Sequence, residues 1–324
     1  MVAGAGSGDA SWTIGELAEH AATTVKTVRF YSERGLLPQR PRSSGGHRRY
    51  GPEALEQLRL IQSLRGLGLS LTQVRQMLDE GVHDGTGAGT GTAFEAAVAS
   101  RLRTLGSQLS AMRWQEAALR LVQECGPEER AERLRLIGSL SSPPSTEAVA
   151  RFWRAWLPAR TPAKVTAAFL DAAVPQLPEA PESGHVLAFA HLNALVSRPC
   201  TPDRRPTQPA AHQGAGPREV GLLYSGLAQA YDLAAVDIRS GLAPRAGGAL
   251  DGFVDTYARV QGQRDTPDFR RRLARELADD PRLDIYWDLV EQAVTPLGHR
   301  PEPTPGSAHD WLLTALHTQV ERVG

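Results

Sequence analysis

The run from Thr24 to Tyr50, TVKTVRFYSERGLLPQRPRSSGGHRRY, constrains the fold of this chain more than any other segment. Thr24 is suited to cap a helix that begins at Val25, because a threonine hydroxyl accepts a hydrogen bond from an amide of the first turn. Gly35 is suited to end that helix, because glycine readily adopts the left-handed conformation found at helix ends. A short second helix after a tight turn is the geometry that enters the major groove of DNA.

A first short helix precedes this one, and a basic hairpin follows it. Residues 12–18, WTIGELA, supply the first helix, with Thr13 and Glu16 at the spacing of a capping box. After the second helix, we predict that residues 36–38 pair with residues 48–50 as the two strands of a wing. The segment therefore has the pattern of a winged helix-turn-helix.

Positive charge is concentrated in the same part of the chain. From Lys26 to Arg75 there are ten basic and three acidic residues, whereas the whole chain has 36 of each and a net charge of zero. Such a local excess is typical of a surface that binds phosphates. The alternative is a solvated basic face on an ordinary helical domain, but charge, turn and wing coincide here.

Residues 12 to about 80 resemble the DNA-binding domain of the MerR family of transcriptional regulators. Four motifs carry the resemblance: TIGELA at 13–18, VRFY at 28–31, GLL at 35–37 and GHRRY at 46–50. His47 departs from the family pattern, which usually has an aromatic residue before the wing arginine. The resemblance implies a homodimer on a double-stranded promoter whose −35 and −10 elements are unusually far apart. It also implies that the activated dimer distorts this DNA so that RNA polymerase engages both elements.

Eight residues are predicted to contact DNA. The start of the second helix lies nearest the base edges in this motif, whereas phosphate contacts position the protein without reading sequence. We assign base reading to Thr24, Lys26, Thr27 and Arg29. We assign phosphate contacts to Tyr31, Arg48, Arg49 and Tyr50.

Two further helices complete a DNA-binding domain that spans residues 12–81. Pro52 fits the first turn of a helix that ends near Leu67, and Ser70 caps another that ends near Gly81. The glycine- and threonine-rich residues 82–92 are then predicted to form a flexible linker.

A long helix is predicted over residues 93–125, and its apolar residues have coiled-coil spacing over about three heptads. The seam consists of Val98, Leu102, Leu105, Leu109, Met112 and Leu119. In the MerR family, the helix at this position pairs antiparallel with that of a second copy. On pattern alone, a core helix of a monomer is the alternative.

Composition limits the remaining possibilities. The chain has no apolar run of about eighteen residues, so no membrane span is expected. Residues 1–11 lack the pattern of a signal peptide and are predicted to form a disordered tail in a cytoplasmic protein. The two cysteines, Cys125 and Cys200, are too few for a thiolate metal site or an iron–sulfur cluster. His185 and His191 are six residues apart and do not share a helix face, and no cobalamin-binding motif is present, so we expect no cofactor.

Residues 126–324 retain a helical period and show no convincing strand, which predicts an all-helical effector domain. The predicted fold class is therefore all-α with a small two-stranded wing: a winged helix-turn-helix domain, a coiled-coil dimerisation helix and a C-terminal helical bundle. In the helix that begins at Pro127, we expect Ala131, Leu134, Ile137 and Leu140 to face inward. The proline-rich residues 198–217 are predicted to form an exposed loop.

Clustered aromatic residues in this domain indicate a cleft for a small hydrophobic ligand. The predicted ligand contacts are Trp153, Trp156, Tyr224, Tyr231, Tyr257 and Trp287. The alternative is that these rings simply form the core of the bundle. The architecture is similar to that of drug-responsive family members with helical effector domains, such as the thiopeptide-binding regulators.

The sequence therefore predicts a transcriptional regulator that responds to a small organic ligand. A ligand-independent regulator whose C-terminal domain docks a protein partner is the second hypothesis. No nucleophile elbow, zinc-protease motif or phosphate-binding loop is present, so we do not expect an enzyme.

Overall fold

The computed structural model describes residues 11–84, 92–158, 161–197, 208–212, 216–277 and 281–323. In these ranges the chain is mostly helical, with two isolated antiparallel bridges and no sheet. It divides into two compact units, the first ending at Gln108 and the second beginning at Leu109. The predicted tail, apart from Ser11, lies outside the described residues, as does most of the predicted linker.

The first unit packs its helices around one apolar core that includes Leu17, Val28, Leu58 and Ile61. Its helices are α1 (Ile14–His20), α2 (Val25–Glu33), α3 (Pro52–Gly66), α4 (Leu71–Asp84) and the beginning of α5 (Thr92–Glu124). Helix α4 continues to Asp84, beyond the predicted end near Gly81, and α5 begins at Thr92, so both flanks of the predicted linker are helical.

Local capping interactions define the ends of the short helices. The Thr13 amide donates to Glu16 at 2.6 Å and the Glu16 amide donates to the Thr13 hydroxyl at 3.3 Å, which completes the predicted capping box. The Thr13 amide hydrogen bond lowers the pKa of the Glu16 carboxyl. Gly35 has φ of +71°, the left-handed conformation expected at the end of α2.

The predicted pairing of residues 36–38 with 48–50 is wrong. Leu36 and Leu37 are buried in the core of the first unit, because burial of their apolar side chains lowers the free energy of the folded chain. The bridges instead join Arg40 to Arg49 and Trp12 to Tyr50. The basic segment between them is closed by a turn in which the amide of residue 46 donates to Ser43.

In the described residues, the second unit contains the rest of α5, nine further α-helices and a short 3-10 helix at Ala210–His212. The nine α-helices are α6 (Pro127–Gly138), α7 (Glu147–Trp156), α8 (Ala163–Ala173), α9 (Ser183–Val196), α10 (Pro217–Arg239), α11 (Gly248–Val260), α12 (Pro267–Glu276), α13 (Pro281–Val294) and α14 (Pro305–Val323). One core surrounds Phe253 and Tyr257 on α11. The other surrounds Trp153 on α7 and also takes in Trp114 on α5.

The predicted inward face of α6 is only partly correct. Ala131 is exposed and Leu134 is 52% exposed, and α6 has no buried residue. Ile137 and Leu140, at the end of the helix and just after it, are half-buried against the Trp153 core. Periodicity identified the apolar side of this charged helix, but only its last turn meets a packing partner.

Close packing between α10 and α11 depends on Gly226. A Cβ atom at this position would lie 2.5 Å from the Thr256 hydroxyl oxygen and 2.6 Å from its methyl carbon. At Gly221, in the same helix, an added Cβ would meet only ordinary contacts of 3.7 Å or more.

We expect Gly226→Ala to lower the free energy of unfolding by about 1–3 kcal/mol, because the added methyl group overpacks a tight contact. Gly221→Ala is the matched control and should be neutral or stabilising by up to about 1 kcal/mol, because alanine favours the helix. Urea unfolding of both variants measures the difference. Equal stabilities would contradict the close approach of α10 and α11.

Candidate nucleic-acid interface and effector cleft

The second helix, α2, has one buried side and one exposed, positively charged side. Val28, Tyr31 and Ser32 are buried, whereas Lys26 and Arg29 are exposed. The helix N-terminus is fixed by a capping interaction that was predicted from the sequence. The Thr24 hydroxyl accepts from the Thr27 amide at 3.1 Å and lies 2.9 Å from the Thr27 hydroxyl. The predicted base-reading residues therefore lie in the cap and first two turns of a well-anchored helix.

An aromatic–cation pair extends this exposed side. The guanidinium carbon of Arg34 lies 3.7 Å from the centroid of the Phe30 ring, and Phe30 is 42% exposed. Arg75 also donates to the carbonyl oxygen of Arg34. Charge and apolar surface therefore continue to the C-terminal end of α2.

A buried hydroxyl at Ser32 joins α2 to the basic segment that follows it. The Ser32 and Tyr50 hydroxyl oxygens lie 2.8 Å apart, in a buried hydrogen bond. Gln39 donates to the Ser32 hydroxyl at 3.0 Å, and Arg48 donates to it at 3.4 Å. Gln39, on one side of the turn, and Arg48 and Tyr50, on the other, are thus bonded to the buried side of α2.

The position of Tyr50 does not fit the phosphate contact that the sequence suggested. Its side chain is fully buried, and its hydroxyl is used by Ser32, so we assign it a structural role. Tyr31 is also buried, with 8% of its surface exposed. Arg48 and Arg49 are half-buried. Tyr50 follows two arginines, which suggests a surface position. The sequence does not show the hydrogen bond to Ser32 that holds its side chain in the core.

Along α5, apolar side chains form an exposed stripe. Leu102, Leu109, Met112 and Leu119 are 53–66% exposed, Leu105 is 37% exposed, and Val98 is half-buried. These six are the residues of the predicted coiled-coil seam. Another side of the helix, with Trp114, Ala117 and Leu121, is buried in the Trp153 core. The seam residues Leu102 to Leu119 thus lie outside the cores of the protomer.

The second unit contains an aromatic cleft of about 440 Å³, a size typical of small-molecule sites. Helices α7, α8, α10, α13 and α14 contribute its walls. The aromatic part of the lining consists of Trp153, Trp156, Phe169, Tyr224, Tyr231 and Trp287. Their rings contact one another closely: the Trp153 centroid lies 5.3 Å from that of Trp156 and 5.7 Å from that of Trp287.

Five of the six residues predicted to contact ligand line this cleft, and Tyr257 does not. Tyr257 is fully buried in the neighbouring core, and its hydroxyl lies 2.8 Å from Nε2 of His212. His212 itself lines the cleft. Tyr257 therefore lies outside the cleft and contacts one of its lining residues, His212.

His212 and Gly306 are cleft residues that the sequence did not indicate. His212 lies in the predicted exposed loop 198–217, of which the structure describes residues 208–212, 216 and 217. Contrary to that prediction, Ala211 and His212 are buried. At Gly306, a Cβ atom would lie 2.1 Å from Cγ of Trp287, so only glycine leaves room for this indole. Neither residue belongs to a periodic pattern, and both depend on contacts with distant residues.

Some buried polar atoms of the aromatic lining lack a hydrogen-bond partner among the described residues. They include the indole nitrogens of Trp153 and Trp156 and the hydroxyl of Tyr224, and each of these residues is 8% exposed or less. Burial also raises the pKa of Tyr224 well above its usual range, so the hydroxyl keeps its proton. The aromatic wall of the cleft therefore contains buried donors that the described residues leave unsatisfied.

The described residues contain no group of three or more metal-ligating side chains. The Cys125 thiol is buried and donates to the Val122 carbonyl at 3.2 Å, whereas Cys200 lies outside the described residues. His185 is buried between the Glu182 amide and the Thr295 carbonyl, and His191 is exposed. In the part of the chain that the structure describes, no helix is long and apolar enough to cross a membrane.

The fold and charge of the first unit define a helix-turn-helix domain with an exposed, basic second helix. The family described as MerR HTH family regulatory protein matches residues 12–81. This part of the chain is a MerR-family helix-turn-helix domain.

Similar proteins match over the same domain. The nodulation protein NolA of Bradyrhizobium elkanii is 43% identical over 68 residues, which are 21% of this chain and 31% of that protein. The mercuric resistance operon regulatory protein of Serratia marcescens is 40% identical over 73 residues, 22% of this chain and 51% of that protein. The HTH-type transcriptional activator TipA of Streptomyces coelicolor is 39% identical over 74 residues, 23% of this chain and 29% of that protein. The chain thus matches about half or less of each relative's length.

One solved structure shows a weak likeness. It is the crystal structure of HiNmlR, described as a MerR family regulator lacking the sensor domain and bound to promoter DNA. The match has a TM-score of 0.25 and 24% identity, and it covers 32% of this chain and 76% of that one. Such a low score adds nothing to the family assignment.

We expect Tyr50→Phe to lower the free energy of unfolding of the first unit by about 1 kcal/mol, because it removes one buried hydrogen bond to Ser32. Tyr31→Phe removes a hydroxyl for which the structure gives no such contact and serves as the control. Native-state hydrogen exchange of the amides in residues 12–81 across urea concentrations compares the variants. If Tyr50→Phe is as stable as the parent chain, the hydroxyl network does not hold the basic segment.

Proposed function

We propose that this chain is a sequence-specific DNA-binding regulator of transcription. The observation that carries the proposal is the exposed, basic side of α2 in a MerR-family domain, with Lys26 and Arg29 pointing away from the core. Arginine and lysine are the side chains that most often read guanine in the major groove. Thr24 and Thr27, at the helix N-terminus, complete the proposed base-reading group, while Arg48 and Arg49 would contact phosphates.

The protein is proposed to act as a homodimer through the stripe on α5. Exposed leucines at heptad spacing bury their apolar surface when two such helices pair. A dimer also explains how a small domain would achieve affinity, because two readers about one turn of DNA apart, roughly 34 Å, bind two half-sites together. The stripe offers the self-association that this arrangement requires.

The aromatic cleft is proposed to bind a small organic effector. Its volume and aromatic walls fit a drug-sized, largely apolar ligand. The regulator would then switch transcription by distorting the promoter spacer so that RNA polymerase engages both promoter elements. Such a protein works in the cytoplasm, where bacterial promoters are, and needs no catalytic step.

We expect Arg29→Ala to weaken binding to the target duplex about tenfold or more, because one base-reading arginine contributes about 1–3 kcal/mol. The salt dependence of binding should also become shallower, because fewer counterions are released. The target is an operator selected from a random duplex library, and binding is measured by gel shift across salt concentrations.

Arg130→Ala provides the control for Arg29→Ala, because it removes an exposed arginine from α6 in the second unit. It should bind the operator like the parent chain. Unchanged affinity and salt dependence in Arg29→Ala would remove Arg29 from the proposed DNA contacts.

We expect the chain to have twice its mass of 35.0 kDa in solution and Leu109→Asp to reduce the dimer strongly. Leu109 lies in the middle of the stripe, where pairing would bury the new carboxylate in an apolar seam at a high free-energy cost. Leu134→Asp on α6 is the control, because Leu134 is 52% exposed and Leu109 is 53% exposed. Sedimentation equilibrium measures the mass; a monomeric parent chain, or an unaffected Leu109→Asp dimer, would argue against the α5 interface.

A further inference from the structure

The beginning of α5 is packed into the core of the first unit. Ala97 is 6% exposed, and Ala93 and Phe94 are partly buried against the same core. Residues three and four apart lie on one face of a helix, so these three form a single packed face. The proposed dimer seam begins in the same stretch, with Val98 and Leu102. The first unit therefore contains both the recognition helix and the beginning of the seam.

A carboxylate on α4 caps the beginning of α5. The Ala93 amide donates to the Glu80 carboxylate at 3.0 Å, and the Thr92 hydroxyl lies 3.5 Å from the same group. Amides in the first turn of a helix have no partner within the helix itself, and a carboxylate is favoured at this positive end. Glu80 therefore supplies from another helix the acceptor that the beginning of α5 requires.

Arg101 joins α5 to the turn between α3 and α4. Its Nε donates to the Leu67 carbonyl at 3.3 Å. Its guanidinium also fills the space beside Gly68, where an added Cβ atom would lie 2.6–2.9 Å from it. Gly68 has φ of +80°, so the turn requires glycine both for its backbone conformation and for this contact. The Arg101 contact lies about two helical turns, or about 12 Å, along α5 from the Glu80 contact.

We propose that Glu80 and Arg101 are positioning residues that make the dimer select operators by the separation of their half-sites. The inference rests on the proposed DNA binding and α5 dimer, and it names the residues that set their geometry. Two contacts about 12 Å apart along a helix restrain its tilt, whereas one contact leaves the tilt free. The angle between α2 and the beginning of the seam is then fixed within each protomer.

A dimer built from two such protomers holds its recognition helices at one distance and one relative rotation. Adding two base pairs between the half-sites moves one of them by about 7 Å and turns it by about 70° around the DNA axis. A rigid dimer cannot follow that change and engages one half-site only. The strength of this discrimination therefore depends on the two contacts that hold α5.

The test uses the full chain and an operator selected with it from a random duplex library. Two derivatives of the operator have two base pairs inserted or removed between the half-sites, and a third keeps one half-site only. Gel shift measures the four affinities, and sedimentation equilibrium measures the mass of the protein. The parent chain should bind each altered full operator at least about tenfold less tightly than the original, because it loses the second, intramolecular binding event.

The double variant with Glu80→Ala and Arg101→Ala should form the same dimer and bind the single half-site like the parent chain. It should bind the original operator about three- to tenfold less tightly, because its readers have to be ordered during binding. Its further loss on the altered operators should shrink to about threefold or less, because loosened readers can adjust to a new separation. A purely structural role would instead lower half-site and full-site affinity together and leave the separation preference unchanged.

Two further double variants provide the controls. Glu80→Gln with Arg101→Lys keeps an acceptor and a donor at the two positions and should restore most of the separation preference. Glu95→Ala with Arg103→Ala removes the same two charges from exposed positions of α5 and should behave like the parent chain on all four duplexes.

The outcomes separate the positioning role from the proposed function. The positioning role is overturned if the alanine double variant keeps the separation preference of the parent chain, or loses half-site and full-site affinity in the same proportion. It is also overturned if the parent chain binds the three full operators equally; in each of these cases the DNA-binding dimer is kept. If the parent chain is monomeric or no duplex is selected, the proposed function itself fails and the inference fails with it.

Discussion

The packing of one buried indole, that of Trp153, holds together much of the second unit. Its ring centroid lies 4.9–5.7 Å from those of five other aromatic rings, namely Phe152, Trp156, Phe169, Tyr286 and Trp287. These residues come from α7, α8 and α13, so a single side chain connects three helices. Loss of such a ring from a core typically costs about 3–5 kcal/mol. Since four of these six rings also line the cleft, the cleft wall and the helical core share the same side chains.

In the first unit, a buried hydroxyl group rather than an aromatic ring joins separate elements. The Ser32 hydroxyl of α2 takes part in hydrogen bonds with residues at both ends of the basic segment, which joins the helix to that segment. Hydrogen bonds in a buried setting are directional, and they fix an orientation that apolar packing alone leaves looser. Lys26 and Arg29 lie on the opposite, exposed side of α2, away from this network.

The sequence predicted features that depend on neighbours within about four residues, and missed those that depend on distant ones. The caps at Thr13, Thr24 and Ser70 follow from local hydrogen bonds, and the structure contains all three. The strand pairing of Leu36 and Leu37 failed because their burial depends on the whole core. For the cleft, helical periodicity predicted that the aromatic residues face inward. Periodicity cannot distinguish a residue that lines a cleft from one that is buried in the core. Tyr257 was misplaced for that reason, and His212 was missed because its loop has no period at all.

The separation of the cleft's carboxylates from its aromatic rings has an evolutionary consequence. The rings are shared with the core, so most replacements among them would weaken the fold itself. Asp232, Asp284 and Asp310 also line the cleft, but they are exposed, so replacing one of them removes little buried surface. The exposed part of the lining can therefore change one residue at a time without removing the aromatic rings that the core needs. The chemistry of the cleft lining can thus diverge among related chains while the helices stay folded.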